Sequence, residues 1–258
     1  MLSIQEIATY YNEKEAAFKD NILREYLQYL ILQKIFQSKY ANRLSFLGDT
    51  SLRIIYNNQR FSEDLDFDFF QLTFSDFQDL ATIVAKELEL EGYKIEIRNK
   101  KKGAFHCYIR IPEILYAEGL SPLREQKILI QLDATSHGFD YTPDRKIIDK
   151  FGIFTEVFTT PLDILLSQKI FAIFNRKRPK GRDFFDTTFL MSKTKPNYAY
   201  LAKKLDIHNE RELKKELTGK IHTFDLEILA EDVEKFLINS SDKARITKFK
   251  DIIKQTEL

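Results

Sequence analysis

The chain has 258 residues, 43% of them apolar and 31% charged, and its 40 Lys and Arg against 39 Asp and Glu leave a formal net charge of +1. Such a composition excludes the disordered, collagen-like and membrane-spanning classes, and near-neutrality removes any bulk-charge argument for nucleic acid. The single cysteine, Cys107, excludes an internal disulfide and a thiolate metal cluster; with a first segment too polar for a signal peptide, this sets the expectation of a cytoplasmic protein without a membrane anchor.

In chain order, residues 3–40 read as two helices, the second with Ile22, Tyr26, Tyr29, Leu30 and Phe36 recurring on one buried face. Residues 45–48 read as a short apolar strand ending at Gly48. Asp49, Thr50 and Ser51 then predict a helix start, with residues 52–56 the helix they open. A second strand is expected from about residue 64 to 70. Over 74–90 an amphipathic helix carries Phe77, Leu80, Ile83, Val84 and Leu88 on its apolar side. Residues 93–98 and 104–111 predict an antiparallel hairpin joined by a basic turn, Lys100, Lys101, Lys102 and Gly103. A further strand over 127–132 ends in Asp133. From Pro161 onward the pattern is helical, near 161–176, 182–192, 197–205, 209–218 and 226–239, with a last helix to the C-terminus. The reading is an α+β fold with a soft boundary near residue 155, placing a mixed domain over 1–155 and a helical domain over 156–258.

Alternation on a strand puts residues i and i+2 on one face, so Asp64 and Asp66 project side by side while Leu65 and Phe67 turn to the core. Two carboxylates forced together repel unless a cation lies between them. An oxygen-only set points to a hard ion, Mg²⁺ or Mn²⁺. Gly48 lets a ligand approach the backbone, free N–H groups at a helix start bind phosphate oxygens, and Thr50 and Ser51 add hydroxyls. Asp133, at a strand end, is the candidate third acid of a two-metal cluster that activates an attacking hydroxyl and neutralises a leaving pyrophosphate. Acid pairs at strand ends are more often surface charge; the order glycine loop, helix, paired acids, later strand acid is what favours metal here. Asp68 continues the alternation and is expected as a solvated strand end. His106, His137, His208 and His222 show no metal-ligand spacing.

Lys169 falls in the middle of an apolar arc made by Leu162, Leu165, Leu166 and Ile173, and Arg176 lies on the same face. A lysine in that position needs an anionic partner, either a local acid such as Asp163 or a bound triphosphate. Asp183 and Asp186, spaced i, i+3, share one helix face and either orient Lys169 and Arg176 or act in the chemistry. Arg176, Lys177, Arg178, Lys180 and Arg182 form a basic run. Such runs are ordinarily solvated; beside a phosphate-handling site, this one and Lys100 to Lys102 would hold an RNA backbone.

Three strings act together. They are Phe46-Leu47-Gly48-Asp49-Thr50-Ser51-Leu52-Arg53, Arg60-Phe61-Ser62-Glu63-Asp64-Leu65-Asp66-Phe67, and Pro161 to Lys169 followed by Arg176 and Arg182-Asp183-Phe184-Phe185-Asp186. As a set they resemble the AbiEii/AbiGii toxin family, nucleotidyltransferase-like toxins of type IV toxin–antitoxin and abortive-infection systems. The resemblance implies a polymerase-beta-like nucleotidyltransferase core with a helical C-terminal domain and an active site in the cleft between them. It implies an NTP substrate held by Gly48, Asp49, Thr50, Ser51, Arg53, Ser62, Lys169 and Arg176. Asp64 and Asp66 would bind Mg²⁺, and Asp183 or Asp186 would be the further catalytic acid. The implied reaction is transfer of a nucleoside monophosphate to an RNA hydroxyl, tRNA foremost, by a toxin with a cognate antitoxin. The family loop carries Gly or Ser after its first glycine, where this chain has Asp49. Transfer to a protein or small molecule, and a non-catalytic NTP-binding or partner-binding module, are the alternative readings.

Overall fold

Cys107, Ile109, Ile130, Leu132 and Val157 are buried while their neighbours along each strand are half-exposed or exposed, the period-two pattern of a sheet with one covered face. The computed structural model describes all 258 residues. Its strands are β1 (Leu44–Leu47), β2 (Leu65–Phe69), β3 (Glu96–Lys102), β4 (Ala104–Pro112), β5 (Lys127–Thr135), β6 (Asp144–Lys150) and β7 (Ile153–Thr159). They form one seven-stranded sheet in the order β3-β4-β5-β2-β1-β7-β6. The pairs β2–β5 and β1–β7 are parallel and the others antiparallel, so the sheet is mixed.

Helices α1 (Ile4–Ala8), α2 (Glu13–Ala16) and α3 (Lys19–Gln37) precede the sheet; α4 (Gly48–Tyr56) follows β1, α5 (Phe74–Leu90) joins β2 to β3, and α6 (Ile114–Ala117) joins β4 to β5. The N-terminal stretch thus holds three helices rather than two, because Ser3 and Asn12 each cap a separate short one. Helix α3 is buried on more than one face, and it packs on β7, α5 and α1. Helix α5 sits where expected, started by a Thr73–Asp76 capping box. The basic residues Lys100, Lys101 and Lys102 belong to β3, and Gly103 at φ +72° makes the turn alone.

The β6–β7 hairpin was not anticipated. Its two-residue turn is Phe151-Gly152, both with positive φ (61° and 74°), a conformation that a primed hairpin turn requires and that Phe rarely adopts. Phe151 is held there by the rings of Tyr10, Tyr11, Tyr26 and Tyr29, with centroids 5.0–5.9 Å away.

The chain divides into two compact units: residues 1–57 with 61–160, and residues 58–60 with 161–258. The first holds the sheet and α1 to α6. The second is helical: α7 (Leu162–Asn175), α8 (Gly181–Met191), α9 (Tyr198–Leu205), α10 (Glu210–Ile221), α11 (Leu226–Glu234), α12 (Ala244–Thr247) and α13 (Phe249–Gln255). Arg60 joins this unit through an antiparallel bridge to Leu237. The stretch expected as a helix to residue 239 ends at Glu234, and the C-terminal helix is broken into a 3₁₀ turn and two short pieces. No helix is long and apolar enough to cross a membrane.

Candidate active site

Strand β1 runs into Gly48, which opens α4 at φ +76°. A Cβ placed on Gly48 would lie 2.5 Å from Asp66 Oδ2, so both the backbone and the adjoining carboxylate demand glycine. Asp66 is opposite Leu47 of β1 on one side and Asp133 of β5 on the other. Asp64 stands immediately before β2 and, like Asp66, is half-buried.

The hydroxyls of the loop are spent on the fold. Thr50 and Ser51 are fully buried. Thr50 Oγ1 donates to the Asp64 carbonyl and lies 2.8 Å from Ser62 Oγ, and Ser51 Oγ donates to the Gly48 carbonyl at 2.9 Å. This corrects the expectation that Thr50 and Ser51 present hydroxyls to a phosphate: Thr50 pins α4 to the segment entering β2, Ser51 bonds back into its own helix, and Ser62 pairs with Thr50. Arg53 is also diverted. Its Nε donates to Glu25 at 2.8 Å, its Nη2 to Glu15 at 2.7 Å, and its guanidinium lies 4.8 Å from the Phe61 ring centroid. It braces α4 against α2 and α3. Burial alone pushes the Glu25 carboxyl up, but Arg53 and Lys150 outweigh it and hold the group below its usual range. Asp49 is buried in the first turn of α4, where an acid is favoured by the helix dipole.

Asp133 differs from expectation. Its Oδ1 is 2.6 Å from His106 Nδ1, and the Gln131 amide donates to both its oxygens at 2.7 and 2.8 Å. No group of three or more His, Cys, Asp or Glu is gathered closely enough to hold a metal ion, so the three-acid cluster of Asp64, Asp66 and Asp133 is not assembled. Asp64 precedes the strand, so the alternation that aligns residues i and i+2 does not govern it, and Asp133 is held by its own neighbours. Asp68 is no solvated end: it is 2% exposed and accepts from the His137 backbone N–H at 3.0 Å and the Tyr141 hydroxyl at 3.1 Å.

In the second unit, Lys169 of α7 is buried with Nζ 2.7 Å from Asp186 Oδ2 and 3.6 Å from Asp183 Oδ1. Arg176 Nε lies 2.7 Å from Asp183 Oδ2. Arg60 clasps Asp186 with two bonds, 2.8 Å from Nε and 2.5 Å from Nη2, and Asn58 adds a third at 2.8 Å. Asp163 is occupied with the Asn197 amide at 2.8 Å and is not the lysine's partner. Asp183 and Asp186 both lie within ion-pair distance of Lys169, and Asp183 also of Arg176. Asp186 is wholly buried and accepts from Asn58 and Arg60. Three cations (Arg60, Lys169, Arg176) against two acids (Asp183, Asp186) leave this cluster one positive charge in excess. Arg176 is the exposed end of this cluster; beyond it, Lys177 and Arg178 are exposed on the α7–α8 loop, while Lys180 and Arg182 are half-buried. Sequence reasoning gave Arg60, Asn58, Gln131 and His106 no site role. For Arg60 the only signal is its place in the Arg-x-Ser-x-Asp string, because its partner is 126 residues away.

A helix begun by glycine thus lies between two strands of a mixed sheet, with its opening turned on a carboxylate of the next strand. The family model of the nucleotidyl transferase AbiEii toxins of type IV toxin–antitoxin systems matches residues 30–257, and the chain belongs to that family. The protein is accordingly a nucleotidyltransferase enzyme of the toxin class. Among solved structures it shares its fold with MenT4, the nucleotidyltransferase toxin from Mycobacterium tuberculosis (TM-score 0.61, 17% identity, covering 100% of this chain and 91% of that one). It also shares it with JHP933 from Helicobacter pylori (TM-score 0.55, 17% identity, 91% and 90% covered). No curated protein matches the sequence.

Proposed function

We propose that the protein transfers a nucleoside monophosphate from an NTP to an RNA hydroxyl, tRNA foremost, with Asp64 and Asp66 holding Mg²⁺ or, in its place, Mn²⁺. The observation that carries this is the Gly48–Asp66 approach: a carboxylate of the acid-bearing strand reaches the start of α4, where a side chain on residue 48 would block it. Two carboxylates are enough for Mg²⁺, which commonly takes one or two protein acids and completes its shell with substrate phosphates. Bound there, the metal supplies charge neutralisation at the transferring phosphoryl group.

The chain's own groups do the rest. The first-turn N–H groups of α4 bind phosphate oxygens, aided by the helix dipole. Lys169 and Arg176 are proposed as nucleotide-binding residues, with Asp183 and Asp186 fixing their direction; the excess positive charge of their cluster supports this. The acceptor hydroxyl gives its proton to solvent as its oxygen attacks the α-phosphorus, the α–β phosphoanhydride bond breaks, and pyrophosphate leaves with the electron pair. Lys177, Arg178, Lys180 and Arg182 are assigned to RNA backbone contacts. The natural setting is the cytoplasm, with a cognate antitoxin protein as partner, as membership of a type IV toxin family suggests.

The test is incubation of purified protein with each α-³²P-labelled NTP, Mg²⁺ and bulk tRNA, beside Asp64→Ala and Lys169→Ala. Label on RNA in the wild type alone supports the reading and names the nucleotide. Label on protein or a small molecule replaces the acceptor, and NTP binding without any transfer refutes catalysis.

A further inference from the structure

The acids of β2 and β5 are not isolated on their side of the sheet. Register places Asp66 opposite Asp133, Asp133 opposite His106, and His106 opposite Lys100. One step along, Gln131, Tyr108 and Arg98 form a second row, and Leu129, Arg110 and Glu96 a third. Directly opposed residues point to the same face of a sheet, so all three rows share the face of Asp66. The alternate residues Cys107, Ile109, Ile130 and Leu132 are buried on the other side, and α5 packs on β3 and β4.

This face is open. Arg98, Lys100 and Lys102 are exposed, and His106, Tyr108 and Arg110 are half-exposed. Glu96, the acid at its far end, is neutralised by Lys127 at 2.7 Å. What remains is four cations (Arg98, Lys100, Lys102, Arg110) around one accessible ring, with the Arg110 guanidinium 5.9 Å from the Tyr108 centroid. Lys101 projects to the opposite face, over Phe105, and is not part of the array. Three interstrand spacings separate Lys100 from Asp66, about 14 Å.

We propose that the open face of β3, β4 and β5 is the platform on which the acceptor RNA lies, its unpaired end running along the Lys100–His106–Asp133 row toward Asp66 with a base on Tyr108. The inference rests on the transferase reading and adds to it where the acceptor sits and in which form it is bound. Cations interspersed with an exposed aromatic on a sheet are the chemistry that holds single-stranded nucleic acid, by phosphate contacts and base stacking. A duplex offers no free base to the ring, so it gains only the charge contribution.

The test measures equilibrium binding of the full-length protein to tRNA, to the same tRNA with its 3′ overhang removed, and to a blunt duplex. Wild type is compared with Tyr108→Leu and with a quadruple Gln variant at Arg98, Lys100, Lys102 and Arg110. Four phosphate contacts on a single strand contribute a slope of about −3 to log K against log salt. The quadruple variant is expected to lose that slope and at least a hundredfold in low-salt affinity. Tyr108→Leu is expected to lose roughly tenfold at every salt concentration with the slope kept. Both should lose their preference for the overhang, while NTP binding and melting temperature stay at wild-type values. Unchanged RNA affinity in the quadruple variant overturns the proposal, as does loss of binding to an acidic protein partner but not to RNA. RNA binding through this face without nucleotide transfer supports the platform and sinks the transferase reading alone.

Discussion

Gly48 and Glu25 show how single residues fix the loop at the active site. In Gly48→Ala the new Cβ meets Asp66 Oδ2 at 2.5 Å, and the residue must hold φ at +76°. A non-glycine residue in that region costs about 1–2 kcal/mol, so the melting temperature falls by only a few degrees. RNA labelling should fall at least a hundredfold, because the carboxylate and the phosphate-facing turn are pushed apart. Near-wild-type labelling would show that Asp66 does not serve from this position. Glu25 acts one layer behind, holding Arg53 at 2.8 Å and Lys150 at 2.9 Å. Glu25→Gln leaves buried charge uncompensated and should cost about 3–5 kcal/mol at pH 7. The folded-state carboxyl sits below its unfolded value, so its stabilisation is complete above about pH 4.3 and disappears as pH falls through the lowered folded value. Urea midpoints of the two proteins should differ by a constant amount from pH 7 to about 5 and converge below 4. Of this environment, the turn at Gly48 and the strand that carries Asp66 were legible because each is encoded over a few residues. The Arg53–Glu25 brace and the Arg60–Asp186 clasp were not, because each pairs residues far apart in sequence, 28 and 126 positions.

At the level of elements, legibility followed regular periodicity. Helix α5 and the β3–β4 hairpin announce themselves by spacing and flanking turns, and the first four helices of the second unit fall close to where spacing put them. The β6–β7 hairpin escaped because its turn sequence carries a phenylalanine where Asn or Gly signals a primed turn, and only tertiary ring packing explains it. Gly181 is a second case in which sequence is silent. Its position, one residue after Lys180 in a basic loop, suggests only a break before α8. In the structure a Cβ there would lie 1.8 Å from the Leu229 carbonyl oxygen of α11, so α8 and α11 touch through backbone at this point. Gly181→Ala must therefore move α11 bodily, unlike an ordinary surface Gly→Ala in a helix, which stabilises. The expected outcome is a loss of about 1–3 kcal/mol, read as a lowered denaturation midpoint. A gain in stability would mean that α11 is free to shift.

For the molecule as a whole, the decisive quantity is how metal and nucleotide depend on each other. The protein gathers no set of three or more metal-ligating side chains, so under the roles proposed for Asp64 and Asp66 the first unit would offer Mg²⁺ only part of a coordination shell. On that proposal the remaining ligands would be phosphate oxygens and water, which would make Mg²⁺ and NTP affinities reciprocally coupled. Thermal melts should then show almost no shift with millimolar Mg²⁺ alone and a small one with NTP alone. Together, at about a hundredfold excess over the dissociation constant, they should stabilise by about 2.7 kcal/mol, on the order of 5–10 °C for a chain of this size. Asp64→Ala should remove the synergy while leaving the small NTP-only shift, because Lys169 and Arg176 contribute their charge without metal. Chelation with EDTA should abolish labelling without changing the apo melting temperature, since no part of the fold is built on the ion. A full shift with Mg²⁺ alone would point instead to a preformed metal cage, and the roles given to Asp64 and Asp66 would have to be reassigned.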